Sequence, residues 1–146
     1  VGFVFQGPLL LPHLTVEENI MLPLTFQGTG HRGQGTVGKK RMGKEEEIHK
    51  ILRDVGLQNR AQHKPSELSG GQKQRACIAR ALTQNPSLVL ADEPTGNLDS
   101  KTGREILELF KKLHASRGIT FVIATHDHEI AKSAQRILEV KDGKIT

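Results

Sequence analysis

The run Leu68-Ser69-Gly70-Gly71-Gln72, with Asp92-Glu93-Pro94 one helix and one strand further on, is the feature that constrains this chain most. Ser69 is a good N-cap type, and two glycines let backbone N–H groups approach an anion closely. The residues from Gln72 to Leu82 then read as a helix, ended before Pro86, whose positive end faces that anion. The first element can therefore cradle a phosphate. The second is a pair of adjacent carboxylates delivered by a short apolar run, Leu88-Val89-Leu90-Ala91, that reads as a strand. A Ser-Gly-Gly triplet alone is usually a loop, and an acidic pair after a strand is usually a solvated cap. The combination is what carries information.

Around this pair the chain alternates strands and helices. Gly2-Phe3-Val4-Phe5 reads as a short buried strand ending at Gln6. Thr15-Val16-Glu17-Glu18 is a capping box that opens a helix through Ile20 and Met21, which Pro23 limits. Gly28–Gly43 is the least structured stretch by composition. From Lys44 the pattern turns helical, with Ile48, Ile51, Leu52 and Val55 on one face and Gly56 suited to the C′ position. Ser100 can cap a further helix whose inner face is Ile106, Leu107, Phe110 and Leu113, with Gly118 beyond its end. Ile119–Ala124 reads as a buried parallel strand. Asp127–Ala134 reads as a short helix, Arg136–Val140 as a strand, and Asp142-Gly143 as a hairpin turn. The alternation predicts a three-layer α/β architecture with a parallel sheet.

These segments resemble, in order, the motifs of ATP-binding cassette (ABC) ATPases. Val4-Phe5-Gln6 resembles the Q-loop, Leu68–Gln72 the signature motif and Leu88–Glu93 the Walker B strand. Gly96-Asn97-Leu98-Asp99 resembles the D-loop, and Thr125-His126-Asp127 the switch histidine. The wording from Ala91 to Asp99 is most similar to the subgroup serving lipoprotein release and macrolide export. The resemblance implies a P-loop NTPase-like fold. Residues 15–87 or so would form the helical subdomain with the signature motif, and 1–14 with 88–146 the remainder of the ATPase core. It implies ATP and Mg²⁺ as cofactors, with Asp92 and Gln6 at the metal. Glu93 would be the base that polarises the attacking water, and Gln6 and His126 would contact the γ-phosphate. Ser69, Gly70, Gly71 and Gln72, together with Asp99, would close over ATP held by a second cassette in a head-to-tail dimer. Transmembrane permease subunits are the other implied partners, on the cytoplasmic side of the plasma or inner membrane.

The resemblance is interrupted at about residues 28–44, and the family's P-loop, G-x-x-x-x-G-K-[ST], should precede the Q-loop. The chain opens with Val only a few residues before Gln6. Gly33-Gln34-Gly35-Thr36-Val37-Gly38-Lys39-Lys40 imitates the motif but puts Lys40 where a hydroxyl must meet Mg²⁺, and no apolar strand leads into it. The expectation is an N-terminally incomplete cassette, lacking the P-loop strand and the N-terminal β subdomain, that cannot bind or hydrolyse ATP alone. In this family the P-loop strand lies between the strands resembling Ile119–Ala124 and Arg136–Val140, so poor stability or aggregation is expected as well.

The net charge of +5 invites a nucleic-acid reading, but Arg32, Lys39, Lys40, Arg41 and Lys44 carry all of it within residues 28–44, without aromatic stacking partners. Elsewhere basic and acidic residues balance, so no nucleic-acid partner is expected. A single cysteine, Cys77, cannot form an internal disulfide and reads as a small buried apolar residue. The seven histidines show no zinc-site spacing, and no apolar run is long enough to span a bilayer. The leading reading is the ATPase subunit of a transporter. The alternative is a non-catalytic interaction module derived from such an ATPase. A DNA-repair or chromosome-maintenance ATPase is disfavoured, because too few residues separate Gln6 from Leu68 for a long coiled coil.

Overall fold

Three short apolar segments, Gly2–Val4 (β1), Leu88–Asp92 (β2) and Thr120–Ala124 (β3), pair in parallel in the order β1-β2-β3. The structure is a computed structural model that describes residues 1–25, 37–141 and 143–145, with backbone alone for 37–42. The register pairs Val4 with Ala91 and Asp92 with Ala124. Val4, Val89 and Ala91 point into the core, as do Phe121 and Ile123, while the alternate residues Phe3 and Val122 face outward. That alternation is the period-two rule of a strand.

Five α-helices accompany the strands among the described residues: α1 (Val16–Thr25), α2 (Val37–Asp54), α3 (Gly70–Leu82), α4 (Ser100–Arg117) and α5 (His128–Lys132). Local chemistry starts α1 as expected, since the Glu18 N–H donates to Thr15 Oγ1 at 3.2 Å and the Thr15 N–H to Glu18 Oε2 at 2.8 Å. Gly56 and Gly118 adopt positive φ, +74° and +67°, where a Cβ would strain the backbone, and so end α2 and α4. The core gathers Val16 and Ile20 of α1, Ile48, Ile51 and Leu52 of α2, Ile78 and Leu82 of α3, and Ile106 and Leu113 of α4, all fully buried. Phe110 packs on Phe121 with ring centroids 4.7 Å apart, fastening α4 to β3.

Several expectations need correction. Pro23 does not limit α1: the helix runs on to Thr25, because Pro23 sits in its last turn where only one bond is forfeited. Gln84 Nε2 reaches the Pro23 carbonyl at 3.4 Å from beyond α3. Helix α2 begins at Val37 rather than Lys44, because Lys and Arg are good helix formers and the buried turn at Ile48–Leu52 nucleates a helix that extends toward the N-terminus. The rest of the Gly28–Gly43 stretch, including Gly33 to Thr36, lies outside the described residues. The cap of α4 is Asp99, whose carboxylate accepts from the Lys101 and Thr102 N–H groups; Ser100 is the first helical residue.

Strand β3 is not buried on both faces, since Thr120, Val122 and Ala124 are exposed. Arg136–Val140 is not a strand. Only Val140–Lys141 (β4) pairs, antiparallel with Lys144–Ile145 (β5). Ile137 and Leu138 have no neighbouring strand among the described residues, and extended backbone without a ladder partner is not held.

Candidate active site

Parallel strands all end at one edge of a sheet, and here that edge gathers the candidate residues. Gln6 lies just past β1, Asp92 and Glu93 end β2, and Thr125 and His126 follow β3. Glu93 takes the left-handed conformation at φ +42°, a region that costs a non-glycine residue roughly 1–3 kcal/mol. Its N–H continues the sheet by donating to the Ala124 carbonyl at 2.9 Å, so the side chain turns toward the residues after β3.

The Glu93 carboxylate is held at both oxygens. Oε1 accepts the His126 backbone N–H at 2.9 Å and faces His126 Nδ1 at 2.6 Å. Oε2 accepts Thr125 Oγ1–H at 3.3 Å. A carboxylate can only accept, so Nδ1 carries the proton of this bond. Burial alone would push the Glu93 pKa up, but the bonds and charge from His126, with Thr125 assisting, outweigh it and hold the group below its ordinary value. The side chain of His126 is 85% exposed and that of Glu93 20%, so the pair opens outward.

Gln6 approaches the same point. A Cβ built on Gly96 would lie 3.1 Å from Gln6 Nε2 and 3.5 Å from Glu93 Cβ. Asp92 is exposed at the end of β2. Among the described residues no group of three or more His, Cys, Asp and Glu side chains could hold a metal ion. Asp92 offers one carboxylate and Gln6 one amide oxygen, donors of the kind that suit Mg²⁺, which binds through one or two carboxylates plus phosphate oxygens and water.

A second cluster forms where α3 and α4 begin. Ser69 caps α3 reciprocally: its Oγ accepts the Gln72 N–H at 3.3 Å, and its own N–H donates to Gln72 Oε1 at 3.0 Å. The Gly70 and Gly71 N–H groups remain the orphans of the first turn. A Cβ on Gly71 would stand 2.5 Å from Thr102 Cγ2, and one on Gly70 3.4 Å from Leu98 Cδ2. Thr102 Oγ1 donates in turn to Asp99 Oδ2, which with the backbone donors of Thr102 and Lys101 holds the Asp99 pKa below its ordinary value. Ser69, Gly70, Gly71 and Gln72 at the start of α3 thus stand against Leu98, Thr102 and, through Thr102, Asp99 at the start of α4. Sequence reasoning missed Thr125 as a ligand of Glu93 and Asn97, whose Nδ2 donates to the Gln6 carbonyl at 3.2 Å. A hydroxyl next to the histidine after a strand was the available signal for the first.

Open parallel α/β sheets bind ligands outside the carboxyl ends of their strands, and this fold with its site defines such a protein. The chain belongs to the ABC transporter family, whose model matches residues 1–96. It is 48% identical to the ABC transporter ATP-binding protein YtrE of Bacillus subtilis, over 97% of this chain and 57% of that one. It is 45% identical to the lipoprotein-releasing system ATP-binding protein LolD of Geobacter metallireducens, over 99% and 60%. With the macrolide export ATP-binding/permease protein MacB of Syntrophobacter fumaroxidans it shares 46% over 99% of this chain but 19% of that protein. Among solved structures, the dimeric bacterial cassette MJ0796 superposes with a TM-score of 0.75 at 46% identity, covering 99% of this chain and 60% of that one. The chain therefore spans between a fifth and three-fifths of these relatives.

Proposed function

We propose that these residues belong to the ATPase cassette of a membrane transporter, coupling ATP binding and hydrolysis to movement of a substrate. The observation that carries this reading is Glu93, fixed by His126 and Thr125 at the end of β2 with Gln6 alongside. Glu93 orients and deprotonates a water, and its low pKa keeps it ionised at neutral pH. His126 fixes the carboxylate through Nδ1–H and, protonated also at Nε2, donates that second N–H to the terminal phosphate. Asp92 and Gln6 would hold Mg²⁺, which when bound neutralises phosphate charge and orients the leaving group. Residues 15–87 form the helical subdomain, and 1–14 with 88–146 the rest of the core.

Ser69, Gly70, Gly71, Gln72 and Asp99 serve a nucleotide held by a second cassette, head to tail. The relative MJ0796, solved as a dimer and again as a dimer in a post-hydrolysis state bound to ADP and Pi, supports a pairing of two cassettes. Relatives that are a lipoprotein-releasing system's ATP-binding protein and an ATP-binding/permease protein support permease partners at a membrane, and the cassette would work on its cytoplasmic side. No helix among the described residues is long and apolar enough to cross one. Residues 1–146 alone contain no G-x-x-x-x-G-K-[ST] run and do not bind ATP tightly.

In the full-length cassette, Glu93→Gln should lower kcat by roughly 10²–10⁴-fold while ATP binding persists. Undiminished turnover would remove Glu93 from the role. For the 146-residue chain, micromolar ATP affinity by calorimetry would overturn the statement that it lacks the phosphate cradle.

A further inference from the structure

Strand β1 stops pairing at Val4, so the backbone that carries Gln6 has no ladder neighbour. Its carbonyls are taken by side chains instead. Gln74 of α3, a polar residue only 2% exposed, donates Nε2–H to the Phe5 carbonyl at 3.4 Å. Asn97, between β2 and α4, donates to the Gln6 carbonyl at 3.2 Å. Arg80 of α3 donates Nη1–H to the Leu9 carbonyl at 2.5 Å. The closeness of α3 to this segment is set by Gly2, where a Cβ would meet the Ala81 carbonyl oxygen at 2.7 Å.

We propose that Gln74, Asn97 and Arg80 are positioning residues that hold the backbone on both sides of Gln6 and so place its amide beside Glu93. The inference rests on the functional reading above, in which Gln6 meets Mg²⁺ and phosphate. Two of the three stand on the helix that begins at Ser69-Gly70-Gly71, and the third stands two residues before Asp99. A shift of either interface element therefore moves the carbonyls that aim Gln6. Fixed donors do this without reaching the reacting atoms, and a small misplacement of a positioning group is enough to slow chemistry.

The test is a double-mutant cycle in the full-length, ATP-hydrolysing cassette, read as kcat and, by calorimetry without turnover, as the Mg²⁺ concentration for half-maximal ATP binding. Asn97→Ala and Arg80→Ala should each raise the Mg²⁺ requirement about 3- to 10-fold, and Arg80→Lys should recover part of that. Placed in a Gln6→Ala background, the same substitutions should change turnover by less than about 1.5-fold, because what they aim is already gone. Effects of full size in the Gln6→Ala background would overturn the inference, as would an unchanged Mg²⁺ requirement in Asn97→Ala, an exposed-loop variant that tests the idea even if Arg80→Ala fails to fold. A parent cassette without ATPase activity would overturn the functional reading itself, and this inference with it.

Discussion

At the scale of single residues, the Glu93–His126 pair has a titration whose sign can be worked out. The folded pKa of Glu93 lies below its ordinary value, so the ionised group adds stability above that value and loses it as pH falls through the lowered one. Burial is the largest single influence and acts upward; His126 supplies most of what opposes it. Removing the imidazole in His126→Ala should therefore raise the Glu93 pKa, and the stabilisation should disappear at a higher pH than in the parent. Carboxyl-carbon NMR titration reads this directly, and a midpoint that stays put would show that His126 does not control the group. Cys77 gives a contrasting case. Burial pushes its thiol up to about 11 despite the nearby Arg80 charge, so little thiolate exists at neutral pH. It should react with a disulfide reagent at pH 8 only as fast as the chain opens, and labelling should quicken steadily with added urea.

At the scale of elements, the junction of α3 with α4 is a steric fit. Thr102 Cγ2 occupies the space that a methyl on Gly71 would need, 2.5 Å from its ideal position, while Thr102 Oγ1 is tied to Asp99. Gly71→Ala should cost roughly 1–3 kcal/mol by overpacking. Thr102→Ser removes the obstructing methyl and keeps the hydroxyl, so the double variant should recover most of the loss. Equal melting temperatures for Gly71→Ala and the double variant would refute the contact. What the sequence allowed to be read follows the same division between local and distant causes. The helix starts at Thr15 and Ser69 were legible because caps act over three residues, and the motif order placed Gln6, Glu93 and His126 at one sheet edge. Asp99 and Ser100 are both good caps, so choosing between them needed geometry. Pro23 is tolerated because it falls in the last turn of α1, and the early start of α2 extends from a buried turn through good helix formers, neither of which a proline or glycine count reveals. Ile137 and Leu138 continue a strand's pattern but have no strand beside them among the described residues, and pairing is a property of neighbours.

At the scale of the whole molecule, two features set how the chain behaves in solution. Helices α2 and α4 are clasped by Arg117, a tenth exposed, whose Nε donates to Asp54 Oδ2 at 2.9 Å and Nη1 to Glu47 Oε1 at 3.0 Å. The sheet, by contrast, is open on one face. Phe3 is 54% exposed and Val122 52%, while beyond the site Ile137 and Leu138 are 57% and 56%. The outer edge of β3 meets no further strand among the described residues. An unpaired parallel edge beside an apolar face is a template for association, because a second strand would satisfy its N–H and C=O rows while burying the side chains. The 146-residue chain should therefore self-associate at tens to hundreds of micromolar and show only a shallow urea transition, as partly folded species with such edges do. Val122→Lys should shift sedimentation profiles toward monomer with little effect on melting, since Val122 is already half in water and contributes little to the core. Two results would count against this account: a monomer throughout that concentration range, or a cooperative unfolding transition worth several kcal/mol. Either would mean that the one covered face, from Val4 and Val89 to Ile106 and Leu113, is core enough.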